Sequence, residues 1–307
     1  MTRIETFPGQ TERRSRQSIS SAIAIALLSI LCTPPALFAD EPLDIRVEAA
    51  VTSDNNVSRS RGADKLSDVS YGINVATSRN IALSSNTRLA LQGSAGVERF
   101  TRYTGLSKVY AGFNGEFQYR PSADFDAPTF GLFARGTLER YESNLRDGYR
   151  YSAGARVLQP ISTQLDLFAA VAYNVRDGKS TVFDNKDYSA RMNLDYSLTS
   201  KSTLYAGGEF RRGDIVSTAQ PALRYLDVAE AVVRDDAFTD GVRQAYRLRA
   251  ATLIASLGYN LALQADHSLD LSLRWVRSTS LARPGFANAE VIRYYDVQAG
   301  VAYLFRF

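Results

Sequence analysis

The single histidine of the chain stands between an acid and a serine, the residue types of a hydrolase triad. Asp266, His267 and Ser268 are consecutive, whereas a nucleophile, its base and the orienting acid must meet in line from separate positions. Adjacent residues in a predicted turn cannot adopt that arrangement. We therefore interpret them as turn residues, and the sequence predicts no catalytic residue and no enzyme.

Oxygen-bearing side chains gather between the first two predicted strands, at Asp54, Asn55, Asn56, Asp64 and Asp68. Carboxylate and amide oxygens bind Ca²⁺. Their spacing matches no defined calcium loop, and Asp and Asn also form turns at strand ends. We predict turn residues here, with no metal and no cofactor.

Charged side chains recur at alternate positions within otherwise apolar segments. Glu116 and Glu139 could act as acid and base, but the arginines at 135, 156 and 176 are expected to face them, which favours ion pairs that brace an interior. The predicted inward-facing, pore-lining residues are Arg46, Glu48, Glu98, Glu116, Arg135, Glu139, Arg156, Arg191, Asp195, Glu209, Arg211, Arg274 and Asp296.

The segments that position these charges alternate apolar and polar residues with period two, which is typical of strands with two different faces. Each is about ten residues long, the length of a tilted strand crossing a bilayer. Twelve segments are predicted: 43–52, 69–79, 87–100, 108–120, 129–141, 148–158, 165–176, 187–198, 203–212, 246–261, 269–277 and 291–307. In the tenth segment, the apolar residues change from one strand face to the other, which predicts a bulge near Ala250 to Thr252.

The apolar face of these segments carries aromatic residues near both strand ends and aliphatic or small residues between them. Two aromatic girdles around an aliphatic belt are typical of a barrel that crosses a membrane, and an even strand number with alternating short and long connections fits the same topology. The predicted fold is all-β: a transmembrane antiparallel up-and-down β-barrel with 12 strands.

The N-terminus has the features of a secretory signal peptide. The apolar run Ile19 to Cys32 follows Arg13, Arg14 and Arg16, and small residues precede a cleavage site after Ala39. We predict a signal peptide over 1–39 and a single barrel domain over 40–307. No later stretch is apolar for the roughly 20 residues of a membrane helix. The mature chain lacks cysteine. The net charge of the full chain is +4, and without the four Arg and two Glu of residues 1–39 it falls to +2, which forms no basic stripe for nucleic acid.

The last residues place apolar side chains at every second position, Val301, Tyr303, Phe305 and Phe307. This pattern resembles the C-terminal assembly signal of bacterial outer-membrane proteins. The resemblance implies recognition by the barrel-assembly machinery and a location in the outer membrane of a Gram-negative bacterium. Outer-membrane lipids and lipopolysaccharide are then the expected surroundings.

The residues 213–245 form the one long insertion. Pro221 followed by Leu223, Leu226, Ala229 and Val233 predicts one face of a short helix, in a loop that is either a lid over the barrel or an external hairpin.

Basic and acidic residues at inward positions are nearly equal in number, which predicts little ion selectivity. Twelve strands enclose either a narrow channel or a lumen filled by side chains.

Val51 to Arg59, followed by Asp68 to Tyr71, resembles the opening of porin-like barrels found with exopolysaccharide operons. That resemblance implies passage or export of a saccharide. The hypothesis that follows is a porin-like channel for small hydrophilic solutes or saccharides. A structural or assembly/export barrel that acts through its external loops is the alternative, and an outer-membrane lipid-modifying enzyme is less favoured.

Overall fold

The computed structural model describes residues 44–238, 241–286 and 290–307. The predicted signal peptide, 1–39, lies outside these residues. Within the described ranges no helix is both long and apolar enough to cross a membrane.

Within the described residues, thirteen antiparallel strands form one sheet, and twelve of them close into a barrel. Neighbours in sequence pair with each other, β1 pairs with β13, and β9 pairs with β11, so the ring has no free edge. The strands are β1 Asp44–Asp54, β2 Asp68–Ala82, β3 Thr87–Phe100, β4 Lys108–Tyr119, β5 Thr129–Tyr141, β6 Gly148–Pro160, β7 Leu165–Gly178, β8 Asn185–Thr199, β9 Ser202–Ala219, β10 Ala231–Arg234, β11 Gln244–Ala262, β12 His267–Ser280 and β13 Arg293–Arg306. The predicted barrel of twelve strands is confirmed, and β10 is an additional strand outside the wall.

The outer face of the wall is apolar. Ile73, Leu132, Val171 and Leu257 are each at least half exposed, as expected for side chains that meet lipid rather than water. Exposed aromatic residues lie towards both ends of the strands: Phe117, Tyr119, Phe130, Tyr196 and Tyr303 at one end, and Tyr71, Tyr149, Tyr151, Tyr173, Tyr188, Phe210 and Tyr295 at the other. The alternation predicted from the sequence therefore corresponds to the two faces of the sheet.

The two ends of the barrel differ in their connections. We call the end that holds the first residue of β1 and the last of β13 the inner end; its connections are tight, such as residues 200–201 and 263–266. The opposite, outer end carries the longer connections, four of which contain a single 3₁₀ turn, at Gly62–Asp64, Thr104–Leu106, Asn144–Arg146 and Thr181–Phe183. This distribution matches short periplasmic turns and longer external loops.

The bulge predicted near Ala250 to Thr252 is wrong. Strand β11 pairs without interruption with β9 on one side and with β12 on the other through these residues. Tyr246, Leu248 and Ala250 instead stay on the inner face and are fully buried. At this end of β11 the inner face is covered by other parts of the protein rather than by water. Apolar side chains are therefore favoured on the inner face here, whereas further along the strand they lie on the outer face.

The helix predicted from Pro221 to Val233 is only partly present. Helix α1 is a single turn, Leu223–Leu226, and Val233 belongs to β10. Strand β10 pairs with Gln244–Arg247 of β11, beyond the point where β12 leaves that edge. A free strand edge offers unpaired backbone groups, and pairing with them is more favourable than extending a four-residue helix.

Strands β9 and β11 also continue beyond the predicted segments 203–212 and 246–261. Their outer ends, together with α1 and β10, form residues 213–249, which we call the strap. Gly213 begins it, at a point where an added Cβ would lie 2.1 Å from the backbone oxygen of Lys186. Only glycine permits so close an approach of two backbones.

Candidate pore and its outer closure

The interior of the barrel is held by ion pairs between neighbouring strands. Glu139, which is 5% exposed, lies 3.3 Å from Arg176, 3.4 Å from Arg150 and 4.0 Å from Lys108, and it accepts a hydrogen bond from Tyr141. One carboxylate on β5 thus faces cations from β4, β6 and β7. Its contacts are those of an ion-pair network that joins four strands.

A second cluster lies closer to the inner end. Arg156 contacts Glu116 at 2.5 Å, and Gln118 donates a hydrogen bond of 2.7 Å to the same carboxylate. The prediction that Glu116 and Glu139 pair with arginines is confirmed for Arg156 and Arg176. Arg135 differs, because no carboxylate lies within 4 Å of it in the described part of the chain.

A cavity of about 640 Å³ occupies the outer half of the lumen. Polar and charged side chains of both signs line its wall: Asp54, Arg59, Glu98, Lys108, Arg135, Arg150, Arg176, Asp187, Arg211, Arg274 and Asp296. A space of this size is sufficient for a small organic molecule. The charged walls favour a hydrophilic occupant.

Arg59 reaches this cavity from the connection between β1 and β2. It is the one non-glycine residue with positive φ (51°) in the described ranges, a conformation that costs roughly 1–2 kcal/mol. The turn is held by Asn56, whose side-chain amide donates 2.8 Å hydrogen bonds to the backbone oxygens of Ser60 and Tyr295. The connection is thereby folded into the mouth, with Asn56 and Ser60 fully buried.

The strap covers the cavity from the outer side. Residues Asp214 to Val216 and Thr218 line the cavity, while Val216 and Ala245 pack against Val182 and Phe183 of the β7–β8 connection. Tyr225 of α1 stacks on Tyr246 with ring centres 4.8 Å apart and packs near Ile292, which precedes β13.

The far end of the strap reaches the opposite wall. Four strands separate the β9–β11 connection from the β3–β4 connection on either side of the ring, yet Phe238 contacts Tyr103 with ring centres 5.1 Å apart. Ala237 packs against Leu106 in the same place. The strap therefore crosses the mouth rather than extending into solvent, as a free hairpin would.

Asp235 fastens the strap beside the β5–β6 connection. Its carboxylate, with no exposed area, accepts hydrogen bonds from Arg146 at 2.5 Å and from Thr218 at 2.7 Å. The adjacent Asp236 is hydrogen-bonded to Ser143. Further hydrogen bonds join Thr218 to Ser58 and Arg247 to Thr181. The strap therefore contacts all of the remaining outer connections.

Five of the predicted pore-lining residues line the cavity in the outer half of the lumen: Glu98, Arg135, Arg211, Arg274 and Asp296. That the whole predicted set lines a pore stays a prediction. The sequence reasoning missed Arg59, Arg146 and Asp235, which belong to connections rather than strands, and Thr218, which lies at the outer end of β9 beyond the predicted segment 203–212. The period-two pattern cannot identify residues of connections, because they have no strand face. The burial of Asp235 and its pairing with Arg146 depend entirely on how the strap crosses the mouth.

The candidate chemical residues have structural contacts. His267 begins β12, packs against Phe305 with ring centres 4.5 Å apart, and shares a hydrogen bond with the Tyr303 hydroxyl. In the first outer connection, Asp64 pairs with Arg243, and Asp68 accepts hydrogen bonds from the backbone of Arg102 and Tyr103. Asn56 and Asp68 thus serve to shape the connections.

The C-terminal residues complete the barrel wall. Val301, Tyr303 and Phe305 pair with β1 opposite Val51, Ala49 and Val47, and the Phe307 amide donates a hydrogen bond to the backbone oxygen of Ile45. Phe305 and Phe307 meet edge to face with ring centres 4.2 Å apart. The apolar residues at alternate positions therefore face outward along the closing strand.

No protein-family model matches the sequence, and neither does any curated protein. Among solved structures, an outer-membrane channel from Pseudomonas putida F1 is similar with a TM-score of 0.55 at 12% identity, over 90% of this chain and 100% of that chain. The KdgM porin has a TM-score of 0.43 at 10% identity over 85% and 99%, and the NanC porin 0.45 at 11% over 87% and 100%. The first of these likenesses supports the fold: the chain is a closed antiparallel β-barrel of twelve strands with the architecture of that channel.

Proposed function

We propose that the protein is a channel that admits small hydrophilic solutes, including saccharides, through the outer membrane. The observation that carries the proposal is the water-accessible cavity of about 640 Å³ inside a closed barrel, lined by charged side chains of both signs. An assembly barrel that acted only through its loops would gain nothing from lining such a space with charged side chains, since burying charged groups is costly.

The strap sets the size of the entrance in this proposal. It spans the mouth and is joined to the other outer connections, so a solute enters either through gaps beside it or after it moves. The alternative function, a structural or assembly/export barrel, requires a lumen that stays shut. An enzyme is the least supported reading, because the candidate His267 lies on the lipid-facing wall at the inner end.

Planar-bilayer conductance of the refolded mature protein tests the proposal, with a variant that lacks residues 220–243 of the strap beside it. Ala219 and Gln244 are direct partners across β9 and β11, so residues 220–243 can be replaced by Asn-Gly to give a tight hairpin turn. We expect small steps from the natural protein and larger steps from the variant, because the part of the strap that reaches the opposite wall is removed.

Liposome swelling with sugars of increasing size supplies the second measurement. The variant should admit sugars that the natural protein excludes. Absence of conductance and of swelling in both proteins would contradict the channel function and favour the structural or assembly barrel.

A further inference from the structure

A group of arginines lies on the outward face of four adjacent strands at the outer end. Arg212 is on β9, Arg249 on β11, Arg277 on β12 and Arg293 on β13, and all share the strand face of exposed apolar residues such as Phe210 and Leu253. Arg283, in the following connection, is also exposed. We call these five residues the arginine patch.

Most of the arginine patch has no ionic partner. Within the described residues, no carboxylate lies within 4 Å of Arg212, Arg277, Arg283 or Arg293; Arg293 donates only to the Thr279 hydroxyl. Arg249 lies 4.0 Å from Glu230, whose carboxylate is also 3.5 Å from Arg247. The patch therefore carries a net positive charge.

Two arginines at the same height elsewhere on the barrel are neutralised. Arg99 pairs with Glu142 at 3.2 Å, and Arg140 lies 3.8 Å from Asp147. Arg102 and Lys186 also lack a carboxylate within 4 Å among the described residues, but they are single residues in the β3–β4 connection and on β8. The β9 to β13 side differs because its arginines lie together on neighbouring strands.

The position of Arg277 locates the patch relative to the membrane. On the lipid-facing wall it lies directly between Leu253 and Tyr295 in the sheet register, and it follows Trp275 by two residues on the same face. Aromatic side chains of this kind occupy the membrane interface. A long arginine side chain at that height extends its guanidinium to the level of the lipid headgroups.

We propose that the arginine patch binds the phosphate groups of an anionic glycolipid in the outer leaflet, with Arg212, Arg277 and Arg293 as the phosphate-binding side chains. A guanidinium group donates two parallel hydrogen bonds to phosphate oxygens. Several guanidinium groups on neighbouring strands can therefore bind more than one phosphate of the same headgroup. Lipid is the favoured ligand over free phosphate because the arginines stand above exposed apolar residues that acyl chains would cover. This site is independent of any solute passing through the lumen.

Lipid A titrated into the detergent-solubilised natural protein tests the proposal, with native mass spectrometry to count bound lipid. Trp275, the single tryptophan of the chain, reports binding at the patch by its fluorescence. EDTA excludes divalent cations that would bridge phosphates to carboxylates. We expect bisphosphorylated lipid A to bind and dephosphorylated lipid A to bind far more weakly.

The variant R212Q/R277Q/R293Q should weaken binding of bisphosphorylated lipid A on the order of a hundredfold, since each basic residue near an anionic surface contributes about fivefold. The matched control, R99Q/R140Q, removes two paired arginines at the same height and should bind within about twofold of the natural protein, because exposed ion pairs contribute little. Heat-modifiable migration in SDS gels checks that each variant is folded.

Equal binding of phosphorylated and dephosphorylated lipid A by the natural protein would overturn the proposal without recourse to any variant. An equal loss of lipid A binding in R99Q/R140Q would also overturn the proposal, because binding would then depend on the overall positive charge and not on the arginine patch. Displacement of lipid A by inorganic phosphate at equal concentration would assign the arginines to free phosphate instead.

Discussion

At the scale of single residues, the interior of the barrel is stabilised by shared charges rather than by an apolar core. Glu139 is the clearest case, because it is nearly buried and faces Lys108, Arg150 and Arg176 from three other strands. Removing the negative charge would leave cations crowded together in a lumen that is only partly hydrated. Position 139 is therefore a point where four strands are held in register by one side chain.

Glu139→Gln should lower the free energy of unfolding by about 1–3 kcal/mol, less than for a dry ion pair because Arg150 is half exposed to the lumen. Urea-induced unfolding of the protein in lipid vesicles measures the change.

Arg46→Gln is the matched control, since Arg46 and its partner Asp44 are 41% and 30% exposed and the loss should stay below about 1 kcal/mol. Equal losses in the two variants would show that the Glu139 cluster does not brace the wall.

At the scale of elements, the strap is the part of the molecule that differs from a plain barrel. It extends β9 and β11 beyond the wall, adds β10 along the free edge of β11, and reaches the β3–β4 connection. The strap is held by a buried contact in which the Asp235 carboxylate binds Arg146 and Thr218. A buried ion pair that loses one partner leaves an uncompensated charge, so this contact should control how often the strap opens.

Asp235→Ala should increase the rate of amide hydrogen exchange in β10 by about tenfold or more, because the strap loses its buried contact with the β5–β6 connection. Exchange followed by mass spectrometry measures this, and conductance of the same variant should rise.

Glu230→Gln offers a control within the strap. Glu230 is partly exposed and its contacts with Arg247 and Arg249 are 3.5 and 4.0 Å, so exchange in β10 should hardly change. If β10 exchanged its amide hydrogens as slowly in Asp235→Ala as in the control, the strap would be held by contacts other than that of Asp235.

At the scale of the whole molecule, the barrel is complete only when the last strand pairs with the first. The register runs from Arg46 opposite Arg306 to Asp54 opposite Gln298, and the terminal Phe307 is hydrogen-bonded to Ile45. Closure leaves no unpaired backbone in the lipid, where each unsatisfied group would be costly. The C-terminal residues thus complete the wall, and we propose that they also act as the assembly signal.

Phe307→Ser tests that second role. We expect slower insertion by the reconstituted barrel-assembly machinery, while unassisted refolding into detergent proceeds normally, because a single terminal contact contributes little to the finished wall. The readout is the fraction of heat-modifiable protein over time. A parallel loss in unassisted refolding would indicate a purely structural role for Phe307.

The sequence by itself determined the barrel. Strand positions and the aromatic residues near both strand ends follow from period-two alternation, because a strand places neighbours on opposite faces whatever its surroundings. The ion pairs of Glu116 and Glu139 were predictable for the same reason, since adjacent strands bring alternate inward residues together.

Only the tertiary structure decided how the mouth is closed. The pattern at Tyr246, Leu248 and Ala250 suggested a bulge, whereas these residues are buried by a strap whose path cannot be derived from alternation. Arg59 and Asp235 acquire their positions from contacts between connections that are far apart in the chain. Such contacts depend on the closed ring that brings all outer connections to one place, and for that reason no local pattern encodes them.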